Sequence, residues 1–140
     1  MSTSSPSDFN ARIIEQFRAN SGRVGAPFEN TPLLLLHHIG ARTGRERVNP
    51  VAYLADGGRY VIFASKAGAP TNPDWYHNLR AQPEVTVEIG TDTLKATAHE
   101  ATGEERERLF AAMAERSPNF AEYQRKTDRI IPVIVLEPIG

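Results

Sequence analysis

Three arginines stand in and just after a short polar turn bounded by two glycines. The segment reads GARTGRERVNP over residues 40–50, and its chemistry-bearing side chains are Arg42, Thr43, Arg45 and Arg47. Guanidinium groups match the geometry of phosphate and carboxylate oxygens, and glycines let backbone N–H groups approach an anion closely. The segment therefore favours an anion contact. A solvated basic turn whose charge is offset by Glu46 is the alternative, and the residues of this segment leave both open.

A second cationic segment, Ser65-Lys66-Ala67-Gly68, follows a predicted strand and leads to a predicted helix start at Asn72-Pro73-Asp74. Asn72 is the expected N-cap of that helix. A lysine and a serine beside a helix N-terminus can also hold an anion, although a plain polar loop explains them as well. If both cationic segments open on one mouth, the ligand is extended and anionic.

Other chemistries find little support. His37 and His38 are adjacent on a predicted strand, so they point to opposite faces and cannot form a two-histidine metal site. His77 and His99 have no obvious partner ligands, and the chain has no cysteine. These observations argue against a metal centre, a disulfide and a cysteine nucleophile.

The overall charge argues against a nucleic-acid partner. The chain carries 16 basic and 17 acidic residues in 140, a formal net charge of -1. Proteins that coat nucleic acids usually show a basic excess. Single-stranded nucleic-acid binding is an alternative that only the arginine segment supports. We expect a small-molecule substrate instead. A monomer and a homodimer both remain open.

The N-terminal region predicts a short tail and an amphipathic helix over residues 1–22, ahead of one domain over residues 23–140. Phe9, Ile13, Ile14 and Phe17 share a face of that helix. We expect the helix to pack on its own domain, with coverage of a ligand or peripheral membrane contact as alternatives. No apolar run reaches the roughly 20 residues that span a bilayer. Met1–Asp8 lacks the features of a secretory signal, which favours a cytoplasmic location.

The remaining periodicity predicts a mainly β protein with helices, of the α+β class. Residues 33–39, 47–55, 59–65, 85–89, 94–98 and 130–136 read as strands, and their turns indicate antiparallel hairpins. Pro50 inside the second strand requires an edge or a bulge. Helices are expected at 73–82, 103–116 and 118–126. Six short strands are best accommodated by a closed or half-closed barrel, because closure removes exposed edges.

Several motifs together resemble one known family. They are RTGRERVNP, ASKAGAPTNPDWYHNL and TDRIIPVIVLEP, and the resemblance extends over about residues 25–138. The chain resembles the deazaflavin-dependent nitroreductases of actinobacteria, which have a six-stranded split β-barrel related to FMN-binding flavoproteins. The resemblance implies the cofactor 8-hydroxy-5-deazaflavin, coenzyme F-420, and an oxidoreductase that passes hydride to a small planar acceptor such as a quinone, an enone or a nitroaromatic.

The resemblance also implies a role for individual residues. The coenzyme tail would be held by Arg42, Thr43 and Arg47. The strand beside the deazaflavin ring would be formed by Asn49, Pro50, Val51 and Ala52. Ring or tail would contact Ala64, Ser65 and Lys66, and the pocket would be closed by Asp74, Trp75 and Asn78.

The substrate side departs from the family pattern. Where relatives that activate drugs carry tyrosines, this chain has Ala52, Ser117 and Phe120, and only Tyr123 keeps a hydroxyl. Nitroimidazole activation is therefore not expected. We expect Tyr123 to protonate the reduced acceptor and Ser65 to orient the acceptor or the ring. FMN on the same barrel, and a non-catalytic carrier or sensor of coenzyme F-420, are the alternatives.

Overall fold

A computed structural model describes residues 6–24, 32–68 and 71–139, apart from the side chains of residues 6–10 and 67. The sequence predicts a disordered lead-in over residues 1–8. Residues 1–5 lie outside the described range, and residues 6–8 belong to the first helix instead. The elements in chain order are α1 (Pro6–Ala19), β1 (Leu33–Ile39), β2 (Glu46–Asp56), β3 (Arg59–Phe63), a 3-10 turn (Lys66–Gly68), α2 (Asp74–Ala81), β4 (Glu84–Ile89), β5 (Asp92–Glu100), α3 (Gly103–Arg116), α4 (Asn119–Lys126) and β6 (Val133–Pro138).

The six strands form a closed antiparallel barrel, which confirms the predicted architecture. Their order around the barrel is β1-β2-β3-β6-β5-β4. Strands β1 to β3 and strands β4 to β5 are consecutive hairpins, whereas β6 inserts between β3 and β5 and closes the barrel. The β2–β3 hairpin turns on Gly57 and Gly58, which both have positive φ and so fit a tight two-residue loop.

Alternation along the strands divides the apolar side chains into an inner and an outer set. The inner set packs with Trp75, Tyr76 and Leu79 of α2, which lies against the barrel core. From the strands this core includes Leu34, Leu36, Ile62, Val85, Val87, Ala96, Ile134 and Leu136. Helix α2 therefore has a fixed position relative to the ends of β1 and β2.

The outer set is covered by the other helices. Helices α3 and α4 place Leu109, Met113 and Phe120 against the outer side chains of β3 and β6. Helix α1 places Ile13 and Phe17 against Leu33 and Leu35 on the outer face of β1. The expected apolar face of α1 is thus used for packing on the barrel. In the described part of the chain, no helix is both long enough and apolar enough to cross a membrane.

Pro50 lies at the edge position that the sequence predicted. The amide of Tyr53 donates to the carbonyl of Pro32 on the β1 side, so alternation directs the nitrogen of residue 50 to the opposite side. On that side the pairing of β2 with β3 extends only from Tyr53 to Asp56. The missing N–H of Pro50 therefore costs no bond in the β2–β3 ladder.

Two local expectations were wrong. The N-cap of α2 is Pro73 rather than Asn72, and it makes no side-chain cap bond; the Asn72 side chain instead accepts a hydrogen bond from Arg129. The last strand begins at Val133 rather than at residue 130, and the side chain of Ile130 is 74% exposed. In the first case a long-range hydrogen bond from Arg129 engages Asn72. In the second case the strand begins where its pairing with β3 begins, at Val133.

Candidate functional site

The arginine segment folds as a tight turn between β1 and β2. The amide of Gly40 donates to the carbonyl of Arg45, and the amide of Gly44 donates back to the carbonyl of Gly40. Gly44 has a φ of 71°, a conformation that side chains other than glycine rarely adopt. The Thr43 hydroxyl accepts from the Arg45 amide, so it shapes the turn from within.

This turn faces the first turn of α2 across a cleft of about 390 Å³. The cleft is lined by Gly40, Ala41, Arg42, Thr43, Arg47, Asp74, His77 and Asn78. The structure therefore brings together five of the residues that the sequence assigned to coenzyme binding. His77, which the sequence had only excluded as a metal ligand, also lines this cleft.

The charges of the cleft suit an anion. Within the described ranges, Arg42 and Arg47 form no ion pair, whereas Glu46 approaches His37 at 3.5 Å instead of neutralising the arginines. Glu46 therefore makes no ion pair with these two arginines in the described part of the chain. The carboxylate of Asp74 is the one negative group among the lining residues, so two guanidinium groups outnumber it.

Asn78 connects α2 to the turn. Its side chain is buried, with 7% exposed. Its carbonyl oxygen accepts a 2.9 Å hydrogen bond from the amide of Ala41, and its amide nitrogen lies 3.0 Å from Nδ1 of His38. Asn78 thus closes the cleft from behind, through the backbone of the arginine turn.

The strand expected beside the ring presents two different faces. Val51 packs on the barrel core, and Asn49 contacts the buried His38, so both side chains point inward. Alternation directs Pro50 and Ala52 outward, and Ala52 contacts both the α1 cluster and the α3–α4 cluster. At Ala52 the outer face of β2 therefore lies between α1 and α4.

The Ser65–Gly68 segment does not line the cleft beside the arginine turn. It packs on α4 instead. A Cβ built on Gly68 would lie 3.0 Å from the carbonyl oxygen of Tyr123 and 2.9 Å from Cβ of Lys126, so the backbone at Gly68 is in close contact with α4. Ser65 is 8% exposed, Ala64 is fully buried, and Lys66 has a left-handed φ of 47°. The Ser65–Gly68 segment thus contacts α4, whereas the arginine turn faces α2.

Arg129 holds this segment in place, a role that the sequence did not predict. Its guanidinium donates to the carbonyls of Ala64 and Ser65 at 3.1 and 2.9 Å, and to the side-chain oxygen of Asn72 at 2.6 Å. Burial lowers the pKa of Arg129 from its ordinary value. One side chain therefore joins the end of β3 to the chain entering α2. Its position in the shared TDRIIP segment was the only available signal.

An aromatic wall forms beside Ala52. The ring of Phe120 meets Phe63 and Tyr123 edge to face, with centroids 5.5 and 5.3 Å apart. Ala52, Phe120 and Tyr123 belong to one apolar cluster. Ser117 is the residue that ends α3, just before α4. Three of the four residues expected on the substrate side are thus shown in one cluster.

Trp75 lies in a different environment from the cleft residues. It is 7% exposed and packs with the barrel core. Its side chain therefore supports α2 from the inside of the barrel. Within the described residues, no group of three or more potential metal ligands occurs.

The comparisons with known proteins agree with each other. Residues 11–138 match the family model described as F420H(2)-dependent quinone reductase. An F420H(2)-dependent quinone reductase of Mycobacterium tuberculosis is 39% identical over 124 residues, 86% of this chain and 83% of that protein.

Two solved structures are similar over most of the chain. One is an F420-H2 dependent reductase, 43% identical, with a TM-score of 0.70 over 76% of this chain and 94% of that one. The other is described as a domain-swapped dimer, 38% identical, with a TM-score of 0.73 over 95% of this chain and 100% of that one.

Proposed function

The chain belongs to the F420H(2)-dependent quinone reductase family, and from this we propose that it uses reduced coenzyme F-420 to reduce a quinone at the outer face of β2. The observation that carries the proposal is the cleft between the arginine turn and α2. Its two guanidinium groups lack ion-pair partners among the described residues, and the coenzyme has an anionic tail.

The residues present fit the coenzyme by their chemistry. Arg42 and Arg47 supply charge-assisted donors for phosphate or carboxylate oxygens. The tight turn at Gly40 and Gly44 exposes backbone between them. Asp74 limits how closely an anion approaches the first turn of α2, so the arginine side of the cleft is the favoured position of the tail.

The ring would lie on the outer face of β2, next to Pro50 and Ala52. When bound there, the reduced coenzyme supplies hydride to an acceptor. Ala52 is a small, half-buried side chain that packs against both the α1 cluster and the α3–α4 cluster. Asn49 and Val51 contribute to this strand from the inner face, where they hold its position rather than meet the ring.

The acceptor would lie against Phe120 and Tyr123. A flat quinone presents its face or edge to such aromatic groups, and both arrangements are favourable. The Tyr123 hydroxyl makes no hydrogen bond within the described part of the chain, so it can donate a proton to a quinone oxygen. Ser65, at the end of β3 beside α4, would orient the acceptor or the ring. Ser117, which precedes α4, would lie at the rim of this wall.

Binding of the oxidised coenzyme tests the cleft. We expect Arg42→Ala and Arg47→Ala each to weaken affinity by about 1.5–3 kcal/mol, the range for a lost hydrogen bond to a charged group. Arg45→Ala is the matched control, because Arg45 belongs to the same turn but does not line the cleft. Equal affinity in all three variants and the native protein would remove the cleft from the proposal. Oxidation of the reduced coenzyme by quinones, compared with nitroimidazoles, tests the acceptor class.

The assembly and location form a further part of the proposal. A monomer or a homodimer would do this chemistry, and light scattering after size exclusion distinguishes them. Quinones dissolve in bilayers, which supports a cytoplasmic enzyme that makes peripheral contact with the membrane surface. Sedimentation with liposomes tests that contact, and protein left wholly in the supernatant would contradict it. Ile13 and Phe17 are already buried on the barrel, so other surfaces would make the contact.

A further inference from the structure

A buried chain of hydrogen bonds runs from β2 to the arginine turn through His38. The His38 side chain is 2% exposed. Its Nε2 atom lies 2.7 Å from the side-chain oxygen of Asn49, and its Nδ1 atom lies 3.0 Å from the side-chain nitrogen of Asn78. The side-chain oxygen of Asn78 then accepts from the amide of Ala41 at 2.9 Å. We call these four residues, Asn49, His38, Asn78 and Ala41, the relay.

The donors and acceptors along the relay can be assigned in only one way when His38 is neutral. The amide of Ala41 can only donate, so the Asn78 group that meets it must be the oxygen. The amide nitrogen of Asn78 therefore faces His38 and donates to Nδ1, which must carry a lone pair. The proton of neutral His38 then resides on Nε2 and is donated to Asn49. One backbone N–H thus fixes the tautomer of a histidine two hydrogen bonds away.

The surroundings keep His38 neutral. Burial is the main cause that lowers the pKa of His38, and the nearby charge of Arg47 on β2 and His37 on β1 act in the same direction. The hydrogen bond to Asn49 and the carboxylate of Asp74 on α2 act against them. Protonation therefore requires a more acidic solution than for an exposed histidine.

Protonation of His38 would leave two hydrogen-bond donors facing each other within the relay. Charged His38 donates from both ring nitrogens, so its Nδ1–H would face the donor nitrogen of Asn78. Rotation of the Asn78 amide by half a turn would satisfy His38 but would place a nitrogen against the Ala41 N–H. The pair of facing donors would then be at Ala41, the residue that precedes Arg42.

We propose that His38 is a positioning residue: in its neutral state the relay holds the arginine turn in the shape that binds the anionic coenzyme tail, and protonation of His38 releases that turn. The inference rests on the proposed function. It assigns Asn49 and Asn78 to the positioning of the turn through hydrogen bonds inside the protein. Neither side chain then needs to contact the coenzyme directly.

Two conservative variants separate positioning from simple filling of space. An asparagine at position 38 places its oxygen near the position of Nδ1, so His38→Asn keeps an acceptor for Asn78 and has no proton to gain. A glutamine places its amide nitrogen near Nε2, so His38→Gln keeps only the contact with Asn49. His99→Gln removes an exposed histidine on β5 and is the control.

Affinity for oxidised coenzyme F-420 is measured from pH 8 to pH 5 for the native protein and all variants. We expect His38→Gln to lose about tenfold at pH 8, the scale of one lost hydrogen bond to a buried group. His38→Asn should stay within about threefold and lose the acid decline that the native protein and His99→Gln show. kcat at saturating coenzyme should change less than affinity. Equal losses in both His38 variants, or an unchanged acid decline in them, would overturn the proposal.

A measurement without coenzyme keeps the test independent of folding and of the proposed function. Nitrogen-15 NMR of the histidine rings in the native protein should show His38 as the Nε2–H tautomer, still neutral at about pH 6.5, the ordinary pKa of histidine. The amide signal of Ala41 should shift when His38 finally titrates. A His38 ring with the proton on Nδ1, or one that titrates at or above about pH 6.5, would refute the relay. Failure of coenzyme binding with an intact relay would refute the proposed function alone.

Discussion

The guanidinium of Arg129 donates a 2.9 Å hydrogen bond to the backbone carbonyl of Ser65, a residue 64 positions earlier in the chain. Ser65 follows the end of β3, in the segment that packs on α4. Arg129 lies in the connection between α4 and β6. This contact joins the segment after β3 to the chain before α2, since the same guanidinium donates to Asn72.

Removal of this guanidinium should destabilise the protein. Arg129→Met deletes the bonds to two backbone carbonyls and to Asn72, and it leaves buried acceptors without those donors. We expect unfolding free energy to fall by about 2–4 kcal/mol, measured by urea denaturation. Arg125→Met is the control, because Arg125 is exposed and pairs with Glu122 on the same helix. A loss for Arg129→Met no larger than for the control would show that the contact is dispensable.

Gly22 should tolerate no side chain. A Cβ built on Gly22 would lie 2.8 Å from the Cα of Gly90, and Gly22 has a φ of 94°. Gly58 has a similar φ of 87° with nothing within 4 Å of a built Cβ. Both alanine variants incur the conformational cost, about 1 kcal/mol, and only Gly22→Ala adds the clash.

We expect Gly22→Ala to be the less stable of the two by about 1–3 kcal/mol, the usual cost of overpacking. Hydrogen exchange should show faster opening of α1 in Gly22→Ala than in Gly58→Ala. If the two variants were equally stable, the contact between Gly22 and Gly90 would not restrain α1.

Glu88 should make the attachment of α1 dependent on pH. Its carboxylate accepts hydrogen bonds from Arg18 on α1, at 2.6 Å from Nη2, and contacts His37 at the same distance. The hydrogen bond from Arg18 is the main cause that lowers the pKa of Glu88. A carboxyl group with a lowered pKa in the folded state stabilises the protein above its unfolded pKa, and this contribution is lost as pH falls through the folded value.

Glu88→Gln should therefore cost stability at pH 7 and cost progressively less below about pH 4.3, the ordinary value for glutamate. Because Arg18 is half exposed, we expect a difference of only about 1 kcal/mol at pH 7. Urea denaturation at both pH values measures it. Glu104→Gln, at an exposed position on α3, is the control. A difference that does not depend on pH would contradict the ionic origin.

Tyr123→Phe should lower turnover and spare coenzyme binding. The variant keeps the ring that packs edge to face on Phe120 and removes only the hydroxyl. If that hydroxyl protonates the reduced acceptor, kcat with a quinone should fall by about 10- to 100-fold, because water replaces it only in part. Affinity for oxidised coenzyme F-420 should stay unchanged.

Tyr60→Phe is the control for this variant, since Tyr60 packs with Tyr53 toward the barrel core. Turnover of Tyr123→Phe equal to that of Tyr60→Phe would remove Tyr123 from the mechanism. A parallel loss of coenzyme affinity would instead indicate that Tyr123 lines the coenzyme site.

The sequence by itself determined the number and order of the elements, the closed antiparallel class and the family. Period-two alternation specified which side chains share a face, and the Gly57-Gly58 turn specified the hairpin between β2 and β3. Pro50 required an edge because it has no N–H to donate. These features are local, so a single stretch of chain carries all the information that they need.

Tertiary structure decided which residues meet. Insertion of β6 between β3 and β5 brings Arg129 to Ser65, and no local pattern encodes pairing between strands about 70 residues apart. Packing of α2 on the barrel core brings Asn78 to His38 and Ala41. The sequence placed Arg42, Arg47 and Asn78 in one site, but only the folded chain shows that the Ser65 segment belongs with α4, because side chains far apart in sequence meet through packing and not through periodicity.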